Sequence, residues 1–165
     1  MSGDLQADLR FLPVGLSVST RRCVVVGGGN VGERKVRNLL RANAAVTVVA
    51  PSATDGIREL AAAGRVRWIE RSVRAEDYGA AFLVIAATDD EGLNASIVEA
   101  AERQGALACD ASSAERSQVI FGALLGVQDA TVAVFTDGHD PAAARALRNR
   151  IGNLLSAFSR GSTDP

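Results

Sequence analysis

Hydrophobic positions along the chain follow two alternating rhythms. The run Cys23-Val24-Val25-Val26 is short, unbroken and β-branched, as a strand buried on both faces of a parallel sheet requires. Gly27, Gly28 and Gly29 end it. From Val31 to Ala42 the apolar positions change to helical spacing through Val36, Leu39 and Leu40, and Asn43 can cap the end. Val46-Thr47-Val48-Val49-Ala50 forms a second β run, stopped by Pro51, which completes a βαβ unit. The same grammar predicts a helix over 54–63 ended by Gly64, a strand over 66–70 and a buried strand over 82–87. A helix over 92–104 follows, with Leu93, Ile97, Val98 and Ala101 on one face, and then a strand over 107–110. Strands and helices in rotation indicate a parallel sheet with right-handed crossovers.

The grammar changes after Asp110. Residues 111–118 are small and polar, a loop or linker. The runs 119–125 and 130–135 read as strands, and the four residues between them are too few for a parallel crossover, so an antiparallel hairpin is expected. Thr136-Asp137-Gly138-His139 is a turn, and Asp140-Pro141 supplies a helix N-cap and first position. The last helix carries Leu147, Ile151, Leu154, Leu155 and Phe158 along one stripe. A hairpin and one helix bury little alone, so residues 115–160 are expected to cover these faces against a second copy of the chain. The expected organisation is α/β: a parallel-sheet domain over 1–113, then a small α+β dimerisation region over 114–165, with no internal repeat.

Composition narrows the function classes. The chain has 165 residues, 47% hydrophobic and 22% charged, enough apolar content for a packed core. Its 18 basic and 19 acidic side chains give a net charge of −1, which offers no global attraction to nucleic acid or an anionic membrane. No apolar run approaches the ~18–20 residues of a membrane span, and the acidic N-terminus lacks a signal-peptide pattern. Cys23 and Cys109 lie in strand-like surroundings without metal-ligand spacing and are expected as buried thiols. The expectation is a soluble, cytoplasmic protein with no resident metal.

Candidate chemistry begins at the glycine loop. Gly27, Gly29 and Gly32 match G-x-G-x-x-G between a strand and a helix, where one glycine turns the chain, the next lets backbone approach a pyrophosphate and the third packs helix on strand. The helix N-terminus offers N–H groups and partial positive charge, so the backbone of Gly29, Asn30 and Val31 is the expected seat for the phosphates. The acidic ribose ligand that often ends the second strand is missing from Val48-Val49-Ala50-Pro51-Ser52, leaving Pro51, Ser52 or backbone groups near the ribose. At the carboxyl end of the 82–87 strand, Ala87, Thr88 and Asp89 are candidate cofactor contacts, while Asp90 reads as a helix cap.

Phe11-Leu12-Pro13-Val14-Gly15-Leu16, the segment Gly27-Gly28-Gly29-Asn30-Val31-Gly32-Glu33-Arg34-Lys35, Ala86-Ala87-Thr88-Asp89-Asp90 with Leu93-Asn94, and Thr136-Asp137-Gly138-His139-Asp140-Pro141 together resemble the precorrin-2 dehydrogenases. These are siroheme-synthase-type NAD-dependent enzymes, some of which are also sirohydrochlorin ferrochelatases. The resemblance implies a Rossmann-type NAD domain, a homodimer interlocked through the second region, and hydride transfer from precorrin-2 to NAD in siroheme biosynthesis. A macrocycle bearing eight carboxylates needs cationic contacts, for which Arg116, Arg145 and Arg148 are candidates, with His139 a substrate or metal contact. In bifunctional relatives an aspartate follows the fifth strand; here that position falls on Ser112 or Ser113, with Asp110 the reserve base. A serine hydroxyl does not take a pyrrole proton unaided, so a dehydrogenase with weak or absent chelatase activity is expected. Two alternatives are a bifunctional enzyme and a dinucleotide-sensing regulatory module, which shares the glycine loop but more usually keeps the acidic ribose ligand.

Overall fold

The structure is a computed structural model that describes residues 9–127 and 129–161, the last five as backbone alone. The N-terminal octapeptide, Gln128 and the Phe158 side chain lie outside the described parts. The chain divides into two compact units: residues 15–119 form one, and residues 120–161 group with the segment before Gly15 to form the other.

In the first unit, five parallel strands stand in the order β3-β2-β1-β4-β5: β1 is Arg22–Val26, β2 Ala45–Val49, β3 Arg67–Ile69, β4 Leu83–Ala86 and β5 Leu107–Asp110. The central pairings align Val24 with Thr47 on one side and with Val84 on the other. Both faces of β1 and β4 are covered, which is why their sequences are unbroken apolar runs. Helices α1 (Asn30–Arg41), α2 (Asp55–Ala62) and α3 (Glu91–Arg103) make the crossovers. One core cluster joins Val24, Val26, Val49, Val84 and Ala86 to Ile97, Val98 and Ala101 of α3. Cys23 and Cys109 are buried and free; burial pushes the Cys23 thiol up to about 11.

Several local expectations shift by a residue or a face. Asn43 adopts the left-handed conformation (φ 58°) just past the end of α1 and donates to Ser19 Oγ. On α3 the buried positions are Asn94, Ile97, Val98 and Ala101, while Leu93 is 38% exposed. The stripe is thus i, i+3, i+4, i+7 counted from a polar residue. The strand expected over 66–70 pairs only along Arg67–Ile69, at the sheet edge. The unforeseen 3₁₀ turn Ala75–Tyr78 is held by Asp77, whose buried carboxylate accepts from both terminal nitrogens of Arg71 at 2.7 and 2.8 Å and from the Arg74 N–H at 2.7 Å.

The second unit contains an antiparallel pair, β6 (Ala123–Val127) and β7 (Ala130–Val134), with α4 (Pro141–Gly161) packed on both. The first strand was expected over 119–125. Instead the N–H groups of Gln118 and Val119 bond to Ala108 O, which holds this segment along β5, and the antiparallel pairing begins only at Ala123. Asp140 caps α4, accepting from Ala143 N–H at 2.8 Å. Leu147 and Leu154 of the expected stripe are 47% and 61% exposed.

Where β1 ends, three loops crowd together. A Cβ on Gly27 (φ 116°) would lie 2.2 Å from Ala87 O, one on Gly28 2.1 Å from Ser52 O, and one on Gly32 2.2 Å from Gly27 O. Gly28 stands at a variable position of the fingerprint, yet here it is as confined as the motif glycines. Gly28→Ala is therefore expected to destabilise the protein by roughly 1–3 kcal/mol, the cost of overpacking against backbone; an unchanged thermal midpoint would contradict this packing.

Candidate functional site: a crevice at the carboxyl edge of the sheet

The strand order reverses between β1 and β4, because β2 and β3 lie on one side of β1 while β4 and β5 lie on the other. At such a point the loops leaving the two strands diverge and open a crevice. Gly27 places the β1–α1 loop against the Ala87 carbonyl from β4, and Ala87 N–H bonds back to Val26 O at 2.8 Å. Across β1, the Thr54 N–H bonds to Gly28 O at 2.9 Å, which fixes the loop from β2 on the other wall.

Gly29 differs from its neighbours. It is exposed, it is the N-cap of α1, no side chain caps the helix there, and a Cβ placed on it would meet nothing within 4 Å. Asn30 and Val31 beside it are exposed as well. Open space before an uncapped helix N-terminus suits a pyrophosphate, with the first-turn N–H groups as donors. The acid of that first turn, Glu33, is already engaged. It accepts from Thr54 Oγ1 at 2.6 Å and from Arg37 Nε and Nη2 at 2.8 and 2.6 Å, and the Thr54 and Arg37 hydrogen bonds hold its carboxyl below the usual range. Glu33 thereby ties α1 to the N-cap of α2, a role that the sequence did not reveal.

The candidate contacts Pro51, Ala87, Thr88 and Asp89 all lie on loops leaving the carboxyl ends of β2 and β4. Pro51 and Asp89 are exposed, Ala87 is buried and Thr88 half-buried. Asp90 caps α3 as expected, accepting from the Leu93 N–H at 2.9 Å. Buried Asn94 brackets Thr88 with hydrogen bonds to its backbone and hydroxyl. Its detectable signal was a polar residue on the buried stripe of α3.

Past β5, Asp110, Ser112, Ser113 and Arg116 form one cluster. Asp110 is buried; its Oδ1 accepts from the Ser112 hydroxyl at 2.5 Å and the Ser112 N–H at 2.8 Å, and its Oδ2 accepts from Arg116 Nε at 2.7 Å. Burial alone would raise this carboxyl, but the Ser112 and Arg116 hydrogen bonds outweigh it and leave it below the usual range. Ser113 serves the turn itself, its N–H reaching Asp110 O and its own carbonyl accepting from Ser117 Oγ. Asp110 is thus a partnered carboxylate, and Arg116 holds it rather than standing alone to meet a substrate.

In the second unit, His139 and Arg145 are exposed, while Arg148 donates from Nη1 to Leu124 O at 3.1 Å and so braces α4 on the hairpin. No cluster of three His, Cys, Asp or Glu side chains able to hold a metal occurs among the described residues. Nor, among them, is any helix long and apolar enough to cross a membrane.

Parallel strands in the order 3-2-1-4-5, with a glycine loop at the reversal point, define a Rossmann-type dinucleotide-binding protein. The comparisons agree. A family model described as putative NAD(P)-binding matches residues 14–123. Siroheme synthase 1 of Serratia proteamaculans is 37% identical over 147 residues, 89% of this chain and 31% of that protein. The siroheme synthase of Methylococcus capsulatus is 41% identical over 145 residues, 88% of this chain and 31% of its own. This chain therefore spans about a third of the length of those relatives. The solved structure of SirC, a precorrin-2 dehydrogenase, superposes with a TM-score of 0.73 at 30% identity, covering 90% of this chain and 71% of that one. The chain belongs to the NAD(P)-binding family that includes these siroheme synthases and precorrin-2 dehydrogenase.

Gly29→Asp separates site from scaffold. Aspartate is a favoured N-cap, so thermal stability should be kept or raised, whereas its bulk and charge would occupy the phosphate space. NAD binding measured by calorimetry should weaken at least ~100-fold, the loss of a helix N-terminal anion site plus added repulsion; unchanged affinity would reject the site.

Proposed function

We propose that this chain is an NAD-dependent dehydrogenase that oxidises precorrin-2 to sirohydrochlorin. The observation that carries the reading is the extent of the likeness to SirC: at 90% of the chain it continues beyond the dinucleotide unit into the hairpin and last helix. Bound NAD would supply the hydride acceptor. The protein's part is to seat the pyrophosphate on the backbone of Gly29, Asn30 and Val31 and to place the nicotinamide end along the Ala87–Asp89 loop. It must also hold the substrate carbon against that end, which is where most of the rate enhancement of a hydride transfer arises.

Exposed His139 and Arg145 are the proposed contacts for substrate carboxylates, with Arg148 and Arg116 contributing through whatever donors their internal bonds leave. The missing acid at the end of β2 leaves the cofactor choice to Pro51, Ser52 and backbone; NAD is favoured on family likeness. Metal insertion would need a base for two pyrrole protons. Asp110, tied at both oxygens and held below the usual carboxylate range, is a poor acceptor at neutral pH, and Ser112 and Ser113 are worse. Weak or absent chelatase activity follows. A purely nucleotide-sensing role shares the crevice but gives no reason for likeness in the second unit.

The reading also includes a homodimer through residues 115–160, supported by the exposed Leu147 and Leu154 and the thinly covered hairpin. Sedimentation at micromolar concentration should give twice the chain mass, and a monomer would count against it. In steady-state assays with precorrin-2, kcat/KM should be higher with NAD than with NADP, and sirohydrochlorin supplied with Co²⁺ should be metallated no faster than without protein. Preference for NADP, or clear acceleration of metal insertion, would overturn the respective parts.

A further inference from the structure

Asn94 lies on α3 with 1% of its surface exposed, on a stripe otherwise made of Ile97, Val98 and Ala101. A buried amide is costly unless its hydrogen bonds are met. Its own helix does not use it, because Asp90 already caps α3. Instead every bond points across the sheet edge. Oδ1 accepts from the Thr88 N–H at 3.1 Å and the Thr88 hydroxyl at 2.7 Å; Nδ2 donates to Thr88 O at 3.1 Å and to Ser112 Oγ at 3.4 Å. Ser112 Oγ in turn donates to Asp110 Oδ1, whose other oxygen holds Arg116.

We propose that Asn94 is a positioning residue, which fixes the Thr88 peptide at the wall of the cofactor crevice and locks that loop to the Ser112–Asp110–Arg116 cluster beyond β5. It touches neither cofactor nor substrate. Asn94 and Asp110 are buried, Thr88 is half-buried and Ser112 lies at the surface, so a slip of the loop would leave the buried Asn94 amide without its partners. The ends of β4 and β5 therefore present a single rigid polar edge. The inference rests on the reading of the β1–β4 crevice as the NAD site, and it adds that the geometry of this wall is set from behind by one side chain.

The test is a double-mutant cycle read by NADH fluorescence titration, with circular dichroism showing each variant folded at the assay temperature. Asn94→Ala and Thr88→Val should each weaken NADH binding roughly tenfold, the scale of one buried hydrogen bond lost from a binding surface. The double variant should lose little more than either, because both break the same bracket. Additive losses, or an Asn94→Ala protein that melts earlier but binds NADH as the parent does, would overturn the proposal in favour of a merely structural residue. Should Asn94→Ala fail to fold, Thr88→Val and Ser112→Ala flank Asn94 and form the same cycle, with additivity again overturning it. Gly29→Asp run alongside distinguishes the two levels. If it binds NADH normally, the crevice reading falls and takes this proposal with it; if it does not bind and the cycle is additive, the proposal alone falls.

Discussion

The close approach of three backbone loops at the end of β1 is the constraint on which the rest of the first unit depends. Carbonyl oxygens of Ala87, Ser52 and Gly27 stand where side chains of Gly27, Gly28 and Gly32 would begin. This contact draws the β2 and β4 loops to the head of α1 and leaves an opening only at Gly29. Three of the glycines are required by the protein's own backbone packing, and the fourth, Gly29, faces open space.

Several carboxylates of the first unit are paired within the fold. Glu33 would oppose a phosphate if its charge were unpaired, but Arg37 and Thr54 take it up and use it to anchor α2. Asp77 and Asp110 are buried carboxylates, each held by an arginine and a backbone N–H. Breaking such a pair by removing one partner leaves an uncompensated buried charge. These arginines serve the fold before any substrate, which leaves the exposed Arg145 and His139 as the proposed groups for a carboxylate-rich macrocycle.

What could be read in the sequence follows from which interactions are local. Strands β1, β2, β4 and β5 declare themselves because burial on both faces demands continuous apolar residues, and the glycine loop because backbone presses on Gly27 and Gly32 while Gly29 completes the motif's spacing. The 3₁₀ turn over Ala75–Tyr78 gives no periodic signal; it exists through Arg71, Asp77 and the distant Arg22, which donates to Asp77 O and Gly79 O. The run after Gln118 looks like a strand, yet two hydrogen bonds to Ala108 carry its start along β5 instead. Gly28 and Asn94 escaped for opposite reasons. The first occupies a position the motif leaves free, and the second is a polar residue on an apolar stripe whose helical register had been counted from Leu93.

The central claim is that the pyrophosphate of NAD rests on the backbone at the head of α1. The most direct measurement is a titration of the isotopically labelled protein with NAD, following backbone amide shifts by nuclear magnetic resonance. The account predicts that the largest saturable changes fall on the amides of Gly29, Asn30 and Val31, with a second group at Ala87 to Asp89. Saturable binding that leaves the Gly29–Val31 amides unmoved would contradict it.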